Sequence, residues 1–223
     1  MMEGSTMENK FELLCSDSNK VLKINATRGE EYIVESGAMV SMSPVFEVKA
    51  KTGGLGKTLG RMFSGEGLFI QRFKAKEDGE LLLAPQFLGD IKLVEMDGSI
   101  EYRLGRSTFL ASTSGINVTT KSGGIGGMFS GEGLIQMQAS GIGTLVISSY
   151  GAIIKKVLKP GETYIVDSNH MVLWDSRMKY SVEFMSGVFS SIAGGEGLVC
   201  KFQGPGELWI QTRNPALMLQ TAK

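Results

Sequence analysis

Apolar and polar positions alternate with a period of two in several short stretches of this chain. Ile100, Tyr102 and Leu104 alternate with Ser99, Glu101 and Arg103, and Tyr180, Val182 and Phe184 alternate with Ser181 and Glu183. That period places successive side chains on opposite faces of an extended backbone, one face dry and one wet. Turn signals such as Asp78-Gly79, Asp97-Gly98 and Pro205-Gly206 interrupt these stretches at short intervals. Helical spacing is brief: Leu55, Leu59 and Met62 could form one or two turns, Val188 to Ala193 another, and Pro215 to Leu219 a last one. The pattern predicts an all-β protein.

The same pattern returns along the chain. Gly65-Glu66-Gly67-Leu68, Gly131-Glu132-Gly133-Leu134 and Gly195-Glu196-Gly197-Leu198 lie 66 and 64 residues apart. Before the first two copies, Lys51-Thr52-Gly53-Gly54-Leu55-Gly56 matches Lys121-Ser122-Gly123-Gly124-Ile125-Gly126, and Met62-Phe63-Ser64 matches Met128-Phe129-Ser130. Further upstream, Tyr32-Ile33-Val34-Glu35-Ser36 matches Tyr164-Ile165-Val166-Asp167-Ser168, with Phe109 to Gly115 as the counterpart in the second copy. Downstream come Gly79-Glu80-Leu81, Gly143-Thr144-Leu145 and Gly206-Glu207-Leu208. Three coordinated matches per copy read as an internal triplication.

The expected organisation is a flexible tail over 1–10, β repeats over 11–96, 97–158 and 159–214, and a C-terminal tail over 215–223. A third of the chain is small for independent stability. The repeats are therefore expected to share contacts about a pseudo-threefold axis as one compact unit.

Composition narrows the functional classes. Hydrophobic residues make up 42% and charged residues 21% of the 223, enough apolar content for a buried core. Glycine, at 30 residues, is about twice its usual share of roughly 7% and favours many turns. The 23 basic and 23 acidic side chains cancel, without the basic excess of a dedicated nucleic-acid binder. No apolar run approaches the ~18 residues that span a bilayer. The start, Met1-Met2-Glu3-Gly4-Ser5-Thr6, has neither signal-peptide nor presequence character. A cytoplasmic location is the expectation. The two cysteines, Cys15 and Cys200, cannot make a disulfide framework and are expected to be buried thiols.

Catalytic signatures are weak. Gly56-Lys57-Thr58 resembles the end of a phosphate-binding loop, but the glycine required five positions earlier is Lys51. His170 is the only histidine, which excludes a multi-histidine metal cage within one chain. With Asp167 and Asn169 beside it His170 could act as a base, but the adopted reading is an ordinary loop or strand histidine. Cys200 sits in an apolar stretch with no nearby base. Three carboxylates, Glu66, Glu132 and Glu196, could surround an axis and hold a cation. The preferred reading is structural: flanking glycines permit a tight turn or bulge whose glutamate accepts backbone N–H bonds. Lys49, Lys51, Lys57, Arg61, Arg72, Lys74 and Lys76 cluster in the first repeat among Phe63, Phe69 and Phe73. Such a patch could hold single-stranded RNA or another polyanion.

At this point the stretch Ser64-Gly65-Glu66-Gly67-Leu68-Phe69-Ile70-Gln71-Arg72-Phe73, with Gly206-Glu207-Leu208-Trp209-Ile210-Gln211-Thr212-Arg213, resembles a known family. It is the one named for altered inheritance of mitochondria, with its bacterial and archaeal relatives, and the resemblance spans residues 10–214. It implies a fold similar to the tryptophan RNA-binding attenuator protein, a β-sandwich of double-stranded β-helix type. Eukaryotic members are mitochondrial and linked to inner-membrane organisation; without a presequence this chain resembles the prokaryotic branch. The family brings no catalytic residues, and similarity to an RNA-binding fold is analogy alone.

The resulting expectation is a non-catalytic interaction or scaffold protein, without cofactor or metal. It self-associates as a homo-oligomer, a trimer among the forms considered, and has a protein partner still to be identified. Polyanion binding by the basic patch, and small-molecule or cation binding between repeats, are the alternatives.

Overall fold

Tyr102 and Leu104 are buried and Arg103 between them is not, as the alternation predicts, and the same holds for most strands. The computed structural model describes residues 10–15, 19–50, 70–121, 136–184 and 198–220. After β1 (Phe11–Leu14), a first run holds β2 (Val21–Ala26), β3 (Glu31–Glu35), β4 (Met39–Met42), β5 (Phe46–Ala50), β6 (Ile70–Ala75) and β7 (Gly79–Leu83). A second holds β8 (Ile91–Asp97), β9 (Tyr102–Leu104), β10 (Phe109–Thr113), β11 (Ile116–Lys121) and the long β12 (Gln136–Ser148). A third holds β13 (Ile153–Leu158), β14 (Thr163–Asp167), β15 (Met171–Asp175), β16 (Lys179–Phe184), β17 (Leu198–Gln203) and β18 (Gly206–Gln211). The helix α1 (Pro215–Gln220) forms where a final turn was expected. The turns expected near Leu55–Met62 and Val188–Ala193 lie outside the described residues.

All of these strand pairs are antiparallel, and one pairing scheme recurs. In the first run β2 and β4 flank β7, while β3 and β5 flank β6. In the third, β13 and β15 flank β18, while β14 and β16 flank β17. In the second, β12 does the work of both central strands. Its first half pairs with β9 and β11, its second half with β8 and β10.

A turn separates the two central strands elsewhere, at Asp78-Gly79 and Pro205-Gly206. In β12 the chain runs through Gly141 (φ 113°) and Gly143 (φ 142°) instead. A Cβ on Gly141 would sit 2.2 Å from the Gly115 carbonyl oxygen, so only glycine lets β12 pass there.

These pairings change one sequence correspondence. Tyr102–Leu104, in β9, holds the position of Tyr32–Val34 and Tyr164–Val166, each pairing with the first central strand of its run. Phe109–Thr113 is the next strand, equivalent to β4 and β15. The alternation at 100–104 marks a strand in the sequence, but three residues are too short a match to align it with Tyr32–Val34 beside the longer apolar run after it.

Two joints connect the runs. β3 pairs with β10 through Val34↔Ala111, Ile33↔Ser112 and Tyr32↔Thr113. β9 pairs with β15 through Leu104↔Leu173, Arg103↔Trp174 and Tyr102↔Asp175. These make one eleven-stranded sheet, beside a four-stranded sheet ending on β4 and a three-stranded sheet ending on β14. A closed pseudo-threefold arrangement would need a third joint, between β4 and β14, and those strands do not pair.

Three apolar clusters lie beneath the strands. Leu22, Ile24, Tyr32, Phe73, Leu81 and Leu83 form part of one. Leu104, Phe109, Ile116, Leu145, Ile147 and Leu173 form part of the second, and Met171, Trp174, Cys200, Phe202 and Leu208 part of the third. Each fully buried large side chain contributes about 1.5–3 kcal/mol relative to exposure. Tyr180 stacks on Phe202 at 5.5 Å between centroids, and Trp174 meets both edge-on at 5.9 Å.

Candidate functional site

The basic patch is described at four of its members, Lys49, Arg72, Lys74 and Lys76, while Lys51, Lys57 and Arg61 lie outside the described residues. β5 and β6 bring the four together because Lys49 sits opposite Arg72 and Glu47 opposite Lys74. The same pairing interleaves carboxylates. Glu47 binds Lys49 at 2.8 Å and also Lys76, and Arg72 binds Glu31 on β3. Hydrogen bonds from Lys49 and then Lys76 hold the Glu47 carboxyl down to about 2. Lys74 is exposed, with Glu31 and Glu47 as its cross-strand neighbours. Phe73, the described aromatic of the patch, is a core residue and offers no face for stacking a base. A shallow open depression of about 320 Å³ beside Pro44, Phe46, Glu47 and Lys76 is too exposed to enclose a small molecule.

Of the triplicated motif, Gly65, Glu66, Gly67, Leu68, Gly131, Glu132, Gly133, Leu134, Gly195, Glu196 and Gly197 lie outside the described residues. Leu198 opens β17. Among the described residues, no three His, Cys, Asp or Glu side chains come together as a metal site.

His170 and its neighbours do not assemble a dyad. The ring sits in a single 3-10 turn, Ser168–His170, and its Nδ1 bonds the Gln211 carbonyl at 2.7 Å. The Asp167 carboxylate is occupied instead with the Asn169 amide at 2.8 Å. Cys200 is buried, and burial, followed by the Asp167 charge, pushes its thiol up to about 11, away from thiolate chemistry. Cys15 corrects the expectation of two buried thiols: it is exposed, with φ 59° just after β1.

Two features escaped the sequence reading. Glu35, at the end of β3, is half-buried, and burial pushes its carboxyl up to about 7. No described side chain pairs with it. The second is an apolar edge. Met39, Val40 and Met42 of β4 are 43%, 55% and 38% exposed, and Ile165 of β14 is 57% exposed. Their signal in the sequence is the missing charge: Met39-Val40-Ser41-Met42 is as apolar as a core strand.

An antiparallel β protein with paired surface charges, no catalytic constellation among the described residues and an uncovered apolar edge is the class that fold and site define. The family described as "Mitochondrial biogenesis AIM24" matches residues 11–213, and the chain belongs to that family. A similar relative is the "Uncharacterized protein M6_Spy0233" of Streptococcus pyogenes serotype M6, 32% identical over 224 residues, covering 95% of this chain and 90% of the relative. The crystal structure of the protein SPYM3_0169 from Streptococcus pyogenes, a Northeast Structural Genomics Consortium target, is similar at a TM-score of 0.79. The two share 33% identity, over 95% of this chain and 96% of that one. Among the described residues, no helix is long and apolar enough to cross a membrane.

Proposed function

We propose that this protein is a non-catalytic scaffold that acts by self-association. The observation that carries the reading is the apolar edge on β4, where three of four side chains are large, apolar and exposed. Exposed apolar surface of this kind is the usual mark of an interaction site in a folded protein. Mostly half-dry strands, with charges paired at the surface and a nucleophile candidate silenced by burial, support a role in contact over one in chemistry.

The reading includes three modules, one per run, meeting at residues 84–90 and 149–152. Those junctions fit the pairings better than 96/97, which cuts β8, and 158/159, which parts β13 from its partner β18. It also includes a cytoplasmic location. Polyanion binding has less to stand on, because three of the four described cations already face carboxylates.

Light scattering coupled to size exclusion over a concentration series tests the proposal. Masses above 24.1 kDa that rise with concentration are expected. A constant monomer mass at the highest attainable concentration would contradict it.

A further inference from the structure

The two joints inside the chain supply a template for the apolar edge. β4, β10 and β15 are equivalent strands, and each carries the same irregularity against its partner. The register slips between Met39 and Ser41, between Phe109 and Ala111, and between Met171 and Leu173. Met39 therefore corresponds to Phe109 and Met171, Val40 to Leu110 and Val172, and Met42 to Ser112 and Trp174.

On β10 and β15 these positions are covered. Phe109, Leu110 and Val172 are 0% exposed, Ser112 1%, Trp174 3% and Met171 4%. On β4 the same positions are the exposed ones. β10 and β15 each have a neighbour on their outer edge, β3 and β9. β4 has none among the described strands.

The complementary edge also lacks an outer neighbour among the described strands. β3 and β9 give their outer edges to the next run, and β14 is their equivalent. Ile165 occupies the place of Ile33, which is 3% exposed in the joint whereas Ile165 is 57% exposed. Proteins protect free strand edges with charge. Most other outer strands follow that rule: β1 carries Glu12, β5 Glu47 and Lys49, β8 Lys92 and Glu95, β13 Lys155 and Lys156, and β16 Lys179 and Glu183, while β11 has only Lys121 at its end. β4 carries no charge, and β14 only Asp167 at its end.

We infer that β4 of one copy adds to β14 of a second copy, repeating between chains the antiparallel joint that β3–β10 and β9–β15 make within one. The inference rests on the self-association proposed above and specifies its surface, partner and register. Transferring the internal register pairs Ser41 with Val166, Met42 with Ile165, and Ser43 with Tyr164. The contact is heterologous, so each copy keeps one free edge of each kind. Assembly then proceeds head to tail into a closed ring or an open filament, never an isologous two-fold dimer.

Engineered cysteines test the register. In a Cys15→Ser background, Met42→Cys with Ile165→Cys places two thiols at a cross-strand distance a disulfide spans with slight adjustment. Under mild oxidant, the expected result on a non-reducing gel is a ladder of covalent dimers, trimers and higher species that reducing agent collapses. A disulfide formed only within single chains would overturn the inference, since β4 and β14 would then close on each other. No cross-link while the Cys15→Ser protein remains oligomeric by light scattering would also overturn it and leave self-association standing through another surface. No cross-link with a monomeric Cys15→Ser protein would remove both. Should the cysteine pair fold poorly, the exposed-site substitutions Val40→Lys and Ile165→Lys provide a second readout. Each is expected to lower the mass by light scattering, and an unchanged mass for both would again overturn the inference.

Discussion

Glu35 shows how much a single side chain's behaviour depends on neighbours distant in sequence. It ends β3, which lies between β6 and β10, and burial alone raises its carboxyl to about 7. The folded state therefore holds a proton that the unfolded state has released, between the ordinary carboxylate range and about pH 7. Stability from this group is greatest at acidic pH and falls as the pH rises through that window. Glu35→Gln is expected to remove the dependence and stabilise the protein above neutral pH by up to about 3 kcal/mol, with little effect near pH 4. Thermal melts of both proteins across pH 4–9 check this; parallel curves would refute it. In the sequence Glu35 is only the fourth residue of the Tyr32–Ser36 match to Tyr164–Ser168, and nothing local marks it as buried. The surface pairs around Glu47 belong at the other extreme. They lie at the surface, where solvent screens them, and matter for what they leave unavailable to a polyanion.

At the scale of elements, alternation made the strands legible where one face is wet, as in β9 and β16. It could not show β12, because Gly141 and Gly143 interrupt the apolar alternation while the strand runs straight through them. Gly141 combines φ 113° with a close backbone neighbour, while Gly37 has φ 90° and open space around it. Alanine at either position incurs backbone strain of about 1–3 kcal/mol. Gly141→Ala adds the overlap with Gly115 and is expected to lower the melting temperature clearly further than Gly37→Ala. Equal losses would mean that β12 does not need the close approach. The triplicated Gly-Glu-Gly-Leu is the most visible motif in the sequence, yet the apolar edge lies on β4, which carries no part of it. An edge is defined by which strands are absent beside it, and a linear pattern of apolar residues does not encode that absence.

For the whole molecule, family membership and the all-β architecture were both legible, the first from residues 64–73 and 206–213, the second from periodicity and glycine content. The arrangement of the modules was not. The triplication suggests modules about a pseudo-threefold axis; among the described strands two pairings join the three runs, and β4 and β14 have no outer neighbour. Two internal joints already bury the positions that β4 and Ile165 leave exposed, so the molecule carries both halves of a contact that it makes twice internally. In the proposed head-to-tail assembly, each added copy covers one apolar edge while presenting the next.

Native mass spectrometry on two complementary variants tests that claim most directly. Met42→Lys blocks β4 and keeps β14; Ile165→Lys blocks β14 and keeps β4. Each alone is predicted to be monomeric, and an equimolar mixture is predicted to give a dimer containing one copy of each and nothing larger. Parent-like assembly by either variant alone, or a mixture that stays monomeric while the parent assembles, would contradict head-to-tail growth through these edges.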